Sequence, residues 1–318
     1  MKNIRRYIHI AGVLLICCTL LSSCIAEDLS ECGSRTRLKV SFMFEAETET
    51  GPADTQTHHV TLYAFCEQGY CQLVHEFDIK GFEGETEIDT DLEKGTYDFV
   101  AWVNAEKEYF KVPALADYPN TKPQKDACML LLDVPTSDEV RFRLPRLMHG
   151  AAFAFDLTVT DVVRIPLVQN TNYITFTAEG LPATTDTYEF EIRDNNGAYN
   201  FDNGFEAWSP FRYISDAAAG NAKSSRTLSA EMTTLRLGTN RTPTFMFRNA
   251  TTGKTLYPSS SEQETNLVKL IQKAYGGKTV DFDRKHTFDI RLKFDMNLGV
   301  TVSIDGWEVN EGDSGLVP

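Results

Sequence analysis

His286-Thr287-Phe288-Asp289-Ile290-Arg291-Leu292-Lys293-Phe294 and, after a four-residue gap, Gly299-Val300-Thr301-Val302-Ser303-Ile304-Asp305-Gly306-Trp307-Glu308-Val309 decide the fold. Phe288, Ile290, Leu292 and Phe294 fall on one side of the first stretch, with Asp289, Arg291 and Lys293 on the other. Val300, Val302 and Ile304 repeat the pattern. A period of two is the mark of a half-buried β-strand.

The same rhythm runs through most of the chain. Leu38, Val40, Phe42 and Phe44 form one strand, and residues 60–65 and 71–79 form a hairpin pair. Residues 86–92 lead through a Glu93-Lys94-Gly95 turn into residues 97–102, and 140–144 is short. Pro113, Pro119, Pro123 and Pro135 interrupt residues 106–135, which read as a long loop crossing between sheets. Beyond Met148-His149-Gly150 a fresh series opens with Phe153, Phe155, Leu157 and Val159. Residues 173–177, 188–192, 227–237 and 244–248 continue it. Asp194-Asn195-Asn196-Gly197 reads as a hairpin turn, because Asn and Gly tolerate positive φ. Thr252-Gly253-Lys254 is a second turn. One segment departs: Leu267, Leu270, Ile271 and Ala274 recur at helical spacing within residues 262–275, with Ser259 to Ser261 as caps and Gly276-Gly277 as the stop. The expectation is an all-β chain of two antiparallel sandwiches, residues 35–148 and 149–310, with one helix decorating the second.

The N-terminus carries an export leader. Lys2, Arg5 and Arg6 precede a largely apolar run over residues 8–21, followed by Leu21-Ser22-Ser23-Cys24. A basic start, a short apolar region and small residues before a cut define a secretory signal, here residues 1–23. The run falls short of the roughly 20 apolar residues that span a bilayer. The Leu-small-small-Cys box resembles that of bacterial lipoproteins, so Cys24 is expected to be acylated and to hold the chain on outer-membrane lipid. Residues 24–34 form a linker in which Glu27-Asp28 resembles the surface-export signal of Bacteroidetes lipoproteins. Losing the leader removes three basic and no acidic residues, which takes the formal charge from −14 to −17. That balance excludes nucleic acid as a partner and disfavours adhesion to anionic lipid.

Past Cys24, Cys32, Cys66, Cys71 and Cys128 remain, an even number suited to an oxidising compartment. Cys66 and Cys71 flank Glu67-Gln68-Gly69-Tyr70 and can bridge a hairpin, leaving Cys32 for Cys128. The alternative ties the N-terminal segment to one of the hairpin cysteines.

No constellation carries chemistry. His58 and His59 are neighbours and point to opposite faces of a strand, while His75, His149 and His286 read as structural. There is no G-x-S-x-G elbow, H-E-x-x-H helix, P-loop or dinucleotide glycine pattern. Asp194, Asn196, Asp202 and Asn203 hint at calcium but lack the spacing of an EF-type loop, and two tight turns explain them equally well. Glu83, Glu85 and Glu87 read as a solvated strand face. Trp208 and Tyr213 bracket a stretch that is either core packing or an aromatic platform for a sugar. No enzyme activity, metal or cofactor is expected.

Seven segments carry a family resemblance over nearly the whole chain. They are Glu27-Asp28-Leu29-Ser30-Glu31-Cys32 after the lipobox, Val60-Thr61-Leu62-Tyr63-Ala64-Phe65, Gly95-Thr96-Tyr97-Asp98-Phe99-Val100-Ala101-Trp102, Gln169-Asn170-Thr171-Asn172-Tyr173-Ile174, Asp194-Asn195-Asn196-Gly197-Ala198-Tyr199, Glu231-Met232-Thr233-Thr234-Leu235-Arg236-Leu237 and Ile304-Asp305-Gly306-Trp307-Glu308-Val309. In this order they resemble the FimB-like anchor and minor-subunit lipoproteins of Bacteroidetes fimbriae. Gln169 stands where the family usually has a basic residue, and Ala101-Trp102-Val103 lacks its glycines.

The resemblance implies transthyretin-like (Ig-like) sandwiches, no catalysis, and a fimbrial anchor or accessory role. Subunits of such fimbriae join by strand donation, in which an incoming β-strand from the stalk subunit completes an open sheet edge. The tail at 311–318 is short and rich in Gly, Pro and acid, which suits a receiver better than a donor. Related stalk and tip subunits are matured by cutting after an N-terminal arginine. Arg35 and Arg37 are either that site or ordinary edge-strand charge.

Overall fold

The computed structural model describes residues 36–44, 55–114, 117, 121–219 and 226–309. Along the chain lie β1 (Thr36–Phe44), β2 (Thr57–Cys66), β3 (Cys71–Lys80), β4 (Thr86–Thr90), β5 (Thr96–Val103), β6 (Phe110–Lys111), β7 (Met129–Leu132) and β8 (Glu139–Val140). Next come β9 (Met148–Asp156), β10 (Val162–Gln169), β11 (Thr171–Leu181), β12 (Tyr188–Asp194), β13 (Ala198–Asn200), β14 (Phe211–Asp216) and β15 (Ala218–Ala219). The chain closes with β16 (Arg226–Leu235), β17 (Thr244–Asn249), β18 (Thr255–Tyr257), α1 (Leu267–Ala274), β19 (Thr287–Phe294), β20 (Val300–Ile304) and β21 (Trp307–Glu308). The chain is an all-β sandwich with one α-helix among the described residues, as the alternation predicts.

Among the described residues four sheets result, ordered β3-β2-β5-β9-β10-β1-β4, β15-β16-β11-β19-β20-β21, β18-β17-β12-β14-β8 and β13-β7-β6. The first separates two cores. Leu38 and Val40 of β1, Leu62 and Ala64 of β2, Phe99 and Ala101 of β5, and Val163 and Ile165 of β10 face one buried cluster. The alternate residues Tyr63, Phe65, Val100 and Trp102 face a second, which continues through β11, β12, β17, α1 and β19. Strands buried on both faces therefore join the N-terminal strands to the C-terminal sheets.

Several expectations need revising. Residues 149–169, expected to belong with the later strands, pair here with β5 and β1; alternation marks a strand but does not name its neighbours. β12 and β13 lie in different sheets, so Asp194-Asn195-Asn196-Gly197 is not a hairpin turn. Gly197 has another purpose, since a Cβ there would lie 2.4 Å from Trp208 Cδ1. The expected loop at 106–135 contains β6 and β7, too short to show a period. α1 starts later than Ser259 to Ser261 suggested, because Asn266 caps it by accepting from Lys269 N at 2.9 Å. Gly276 and Gly277, at φ 68° and 75°, end it as expected.

The Gln169-Asn170-Thr171-Asn172 segment is the corner between β10 and β11. Asn170 N donates to Leu147 O at 2.7 Å, and its carbonyl accepts from Arg236 N at 2.8 Å. Asn172 Oδ1 accepts from Leu237 N at 2.8 Å, and Gln169 Nε2 donates to Thr171 O at 2.9 Å. These buried amides replace the ladder bonds that a chain changing sheets gives up.

His149 lies at the junction of the two cores, edge-on to Trp102 with centroids 4.7 Å apart. Its Nε2–H donates to Phe201 O at 3.1 Å. Burial, partly offset by that carbonyl and reinforced by the Arg236 charge, pushes its pKa down to about 4. The unfolded chain thus binds the proton first on acidification. The stability held by the neutral ring is complete above about pH 6.5 and is lost as pH falls towards 4, amounting to about 3 kcal/mol. His286 is also pushed down to about 4, chiefly by burial. Urea titrations from pH 7 to 4 should show a His149→Gln variant losing distinctly less stability than the parent; equal losses would refute this assignment.

Candidate functional site

The functional candidate is a border of backbone rather than a cluster of side chains. In the antiparallel pair of β9 and β10, Leu167 faces Gly150, Val168 faces His149 and Gln169 faces Met148, and pairing stops there. Lys39 N–H donates to Asp161 O at 2.8 Å, which turns the odd-numbered N–H groups of β10 towards β1 and the even-numbered ones towards β9. The next donor in register after Val168 would be residue 166, which is proline. Proline has no N–H, so the ladder cannot continue. Past that point residues 151–156 and 162–166 each keep an edge without a ladder partner among the described residues.

The β9 side of this seam is distorted. A bulge lies between Tyr97 and Phe99 in its register with β5. Ala154 has φ 50°, a left-handed conformation uncommon for a residue with a Cβ, and its N–H donates to Asp98 Oδ1 at 2.9 Å. Phe153 is thereby left 55 % exposed, with Lys125 Nζ 4.4 Å from its ring centroid. Lys125 is held in turn by Asp98 at 3.0 Å and Asp202 at 2.9 Å. The other long border, β3, is defended by charge: Glu76 pairs with Lys107 at 3.0 Å and Asp78 with His59 at 3.0 Å. The two outer strands of the six-stranded sheet have two residues each.

Cys24, Glu27, Asp28, Cys32 and Arg35 lie outside the described residues. Arg37 is on β1, exposed, with Asp89 at 3.5 Å and Glu87 at 3.8 Å. Cys66, Cys71 and Cys128 are free thiols, so no disulfide joins any two of them here. Tyr213 is buried, donating to Asn196 Oδ1 at 3.0 Å, and Trp208 packs against the larger core, so the two do not form a sugar platform. Asp194 is paired with Arg241 at 2.9 Å, and Asn203 is hydrogen-bonded to Asn170. No group of three potential metal ligands converges among the described residues. His58 is buried against Phe82, and His59 faces outward to Asp78. A cleft of about 420 Å³ lies between residues 236–240 and 279–283. Its Arg236 is already bound by Asp283 and by Asn203 O, so it offers no free charge to a ligand. No helix of the described residues is long and apolar enough to cross a membrane.

Two features escaped the sequence reading. β10 was hidden by Pro166, whose missing donor faces the unpaired side. Phe201 was hidden because it sits in a turn, although the neighbouring Asp202-Asn203-Gly204 is the turn signal that fixes it.

Comparison with known proteins is consistent with this description. No curated protein matches the chain. The fimbrial anchor protein Mfa2 of Porphyromonas gingivalis superposes with TM-score 0.65 at 20% identity, covering 86% of this chain and 98% of that one. A Bacteroides thetaiotaomicron protein described as a candidate polysaccharide binder gives TM-score 0.68 at 20% identity, covering 86% and 98%. A candidate adhesin from the same organism gives 0.66 at 19%, covering 87% and 98%. Identities this low establish a shared fold. The family model of fimbrillin-A associated anchor proteins Mfa1 and Mfa2 matches residues 29–313, well over half of the sequence, and the chain therefore belongs to that family.

Proposed function

We propose that this chain is an outer-membrane lipoprotein, acylated at Cys24 and directed to the cell surface by Glu27 and Asp28. In this reading it anchors or terminates a fimbria by accepting a β-strand from a stalk subunit along the seam between β9 and β10. The seam is the observation that carries the reading. It offers two strand edges without a ladder partner among the described residues, and an incoming strand can pair along them by β-augmentation. The lipobox, the family match and the acceptor edge all suit a retained receiver. Arg37 supports retention over cutting, because it is engaged with β4 and precedes the fully buried Leu38. No catalytic step is proposed.

Mass spectrometry of the protein extracted from outer membranes should yield an acylated peptide beginning at Cys24. A mature start at Thr36 or Leu38 would instead assign it to the stalk or tip. Peptides copied from the C-termini of candidate stalk subunits should raise the melting temperature and slow amide exchange at residues 151–156 and 162–166. Protection appearing only along β3, or no shift with any peptide, would defeat the seam as acceptor.

A further inference from the structure

Cys66 and Cys71 bracket the β2–β3 turn, yet they face opposite ways. Cys66 packs against the cluster around Leu62 and Phe99, whereas Cys71 is fully buried in the cluster on the other side of the sheet. Cys128 is fully buried in that same second cluster. The backbone brings them there together. Cys71 N–H donates to Pro123 O at 2.9 Å, Lys125 N–H donates to Gly69 O at 2.9 Å, and Tyr70 opposes Gln124 in an antiparallel bridge. A single 3₁₀ turn at Lys125–Ala127 comes next, closed by Cys128 N–H donating to Lys125 O at 3.0 Å.

We propose that Cys71 and Cys128 are joined by a disulfide in the exported protein, clamping residues 123–128 onto the β2–β3 hairpin. The proposal rests on the envelope location of the lipoprotein reading. Two Sγ–H bonds break and one Sγ–Sγ bond forms. The two electrons and, through solvent, the two protons pass to a disulfide oxidant, an envelope thiol–disulfide oxidoreductase in the cell or oxidised glutathione in the test tube. The oxidant's own disulfide is reduced to two thiols. The reaction proceeds by thiolate attack through a mixed disulfide. Burial pushes the Cys71 thiol up to about 11 and the Cys128 thiol up to about 12, the latter raised further by Cys71. So little thiolate survives in the folded chain that the bond forms while the core is still closing.

The test refolds the reduced full-length chain with a reduced and oxidised glutathione pair, alkylates it in denaturant and maps the peptides. The expected product links residue 71 to residue 128, with Cys66 alkylated. Adding the oxidant after folding should slow linkage by roughly tenfold or more. The linked form should melt roughly 10 °C above the reduced form. Cys71→Ala, Cys128→Ala and the double variant should lose the same oxidation-dependent increment. Alkylation of both residues in the oxidised product, or linkage of Cys71 to Cys66 or Cys32, overturns the pairing. Protein isolated from cells separates the two premises: a bond that forms in the tube but is missing in the cell overturns the exported location, whereas its absence in both overturns the pairing itself.

Discussion

Replacing Phe201 by alanine is expected to cost about 3–5 kcal/mol, the usual range for emptying a buried phenylalanine site, and to split one unfolding transition into two. Phe201 is 1 % exposed and meets three rings of the seven-stranded sheet edge-on. Its centroid lies 4.8 Å from Tyr63, 5.8 Å from Phe65 and 6.1 Å from Trp102. Its carbonyl accepts from His149, and its turn is pinned by Asn200 Oδ1, which accepts from Gly204 N at 2.8 Å. These contacts connect strands on either side of the β10–β11 corner, so truncation leaves a void at the junction and each half can respond alone. Urea unfolding followed by both tryptophan fluorescence and circular dichroism checks this. Coincident transitions with a loss below about 1 kcal/mol would show the junction relaxing around the gap.

Arg248→Met is expected to cost about 3 kcal/mol at neutral pH, the low end for breaking a buried ion pair. Glu189 and Glu191 both project from the central strand β12, with side chains 5% and 4% exposed. Arg248 contacts both carboxylates, and Arg141 at 3.2 Å and Arg212 at 3.6 Å supply one further contact each. Those two arginines keep the cost from going higher. A double-mutant cycle with Glu189→Gln and Glu191→Gln, read by urea unfolding at pH 7, checks this. The arginine's cost should shrink when the two carboxylates it faces have already been neutralised. An undiminished cost in the glutamine background would show that packing of the arginine stem, not charge, is responsible.

Half-burial explains which strands could be read beforehand. β1, β19 and β20 each show one side to a core and one to water, so their periods are plain in the sequence. Strand partners are another matter. Met148-His149-Gly150 reads as a boundary, and nothing in the alternation that follows it from Phe153 tells whether that strand joins the N-terminal or the C-terminal sheets. Gly197 could be seen as a turn residue but not as the site of close approach by Trp208. The acceptor seam was hidden for a related reason. Pro166 argues against a strand when taken alone, and only the β9 register shows that the missing N–H is what ends the ladder. Cys71 and Cys128 are 57 residues apart, a separation no local rule connects.

The parallel register of β1 and β10 bears on mechanics. Six residue pairs, from Lys39 with Val162 to Phe44 with Leu167, lie side by side. If a stalk strand occupies the β10 edge while β1 leads back to the lipid, tension on the filament crosses only these two strands. Pulling along them loads their hydrogen bonds in shear, all at once, instead of unzipping them one after another. The remaining sheets would then be bystanders to the force, free to vary in sequence without loosening the grip.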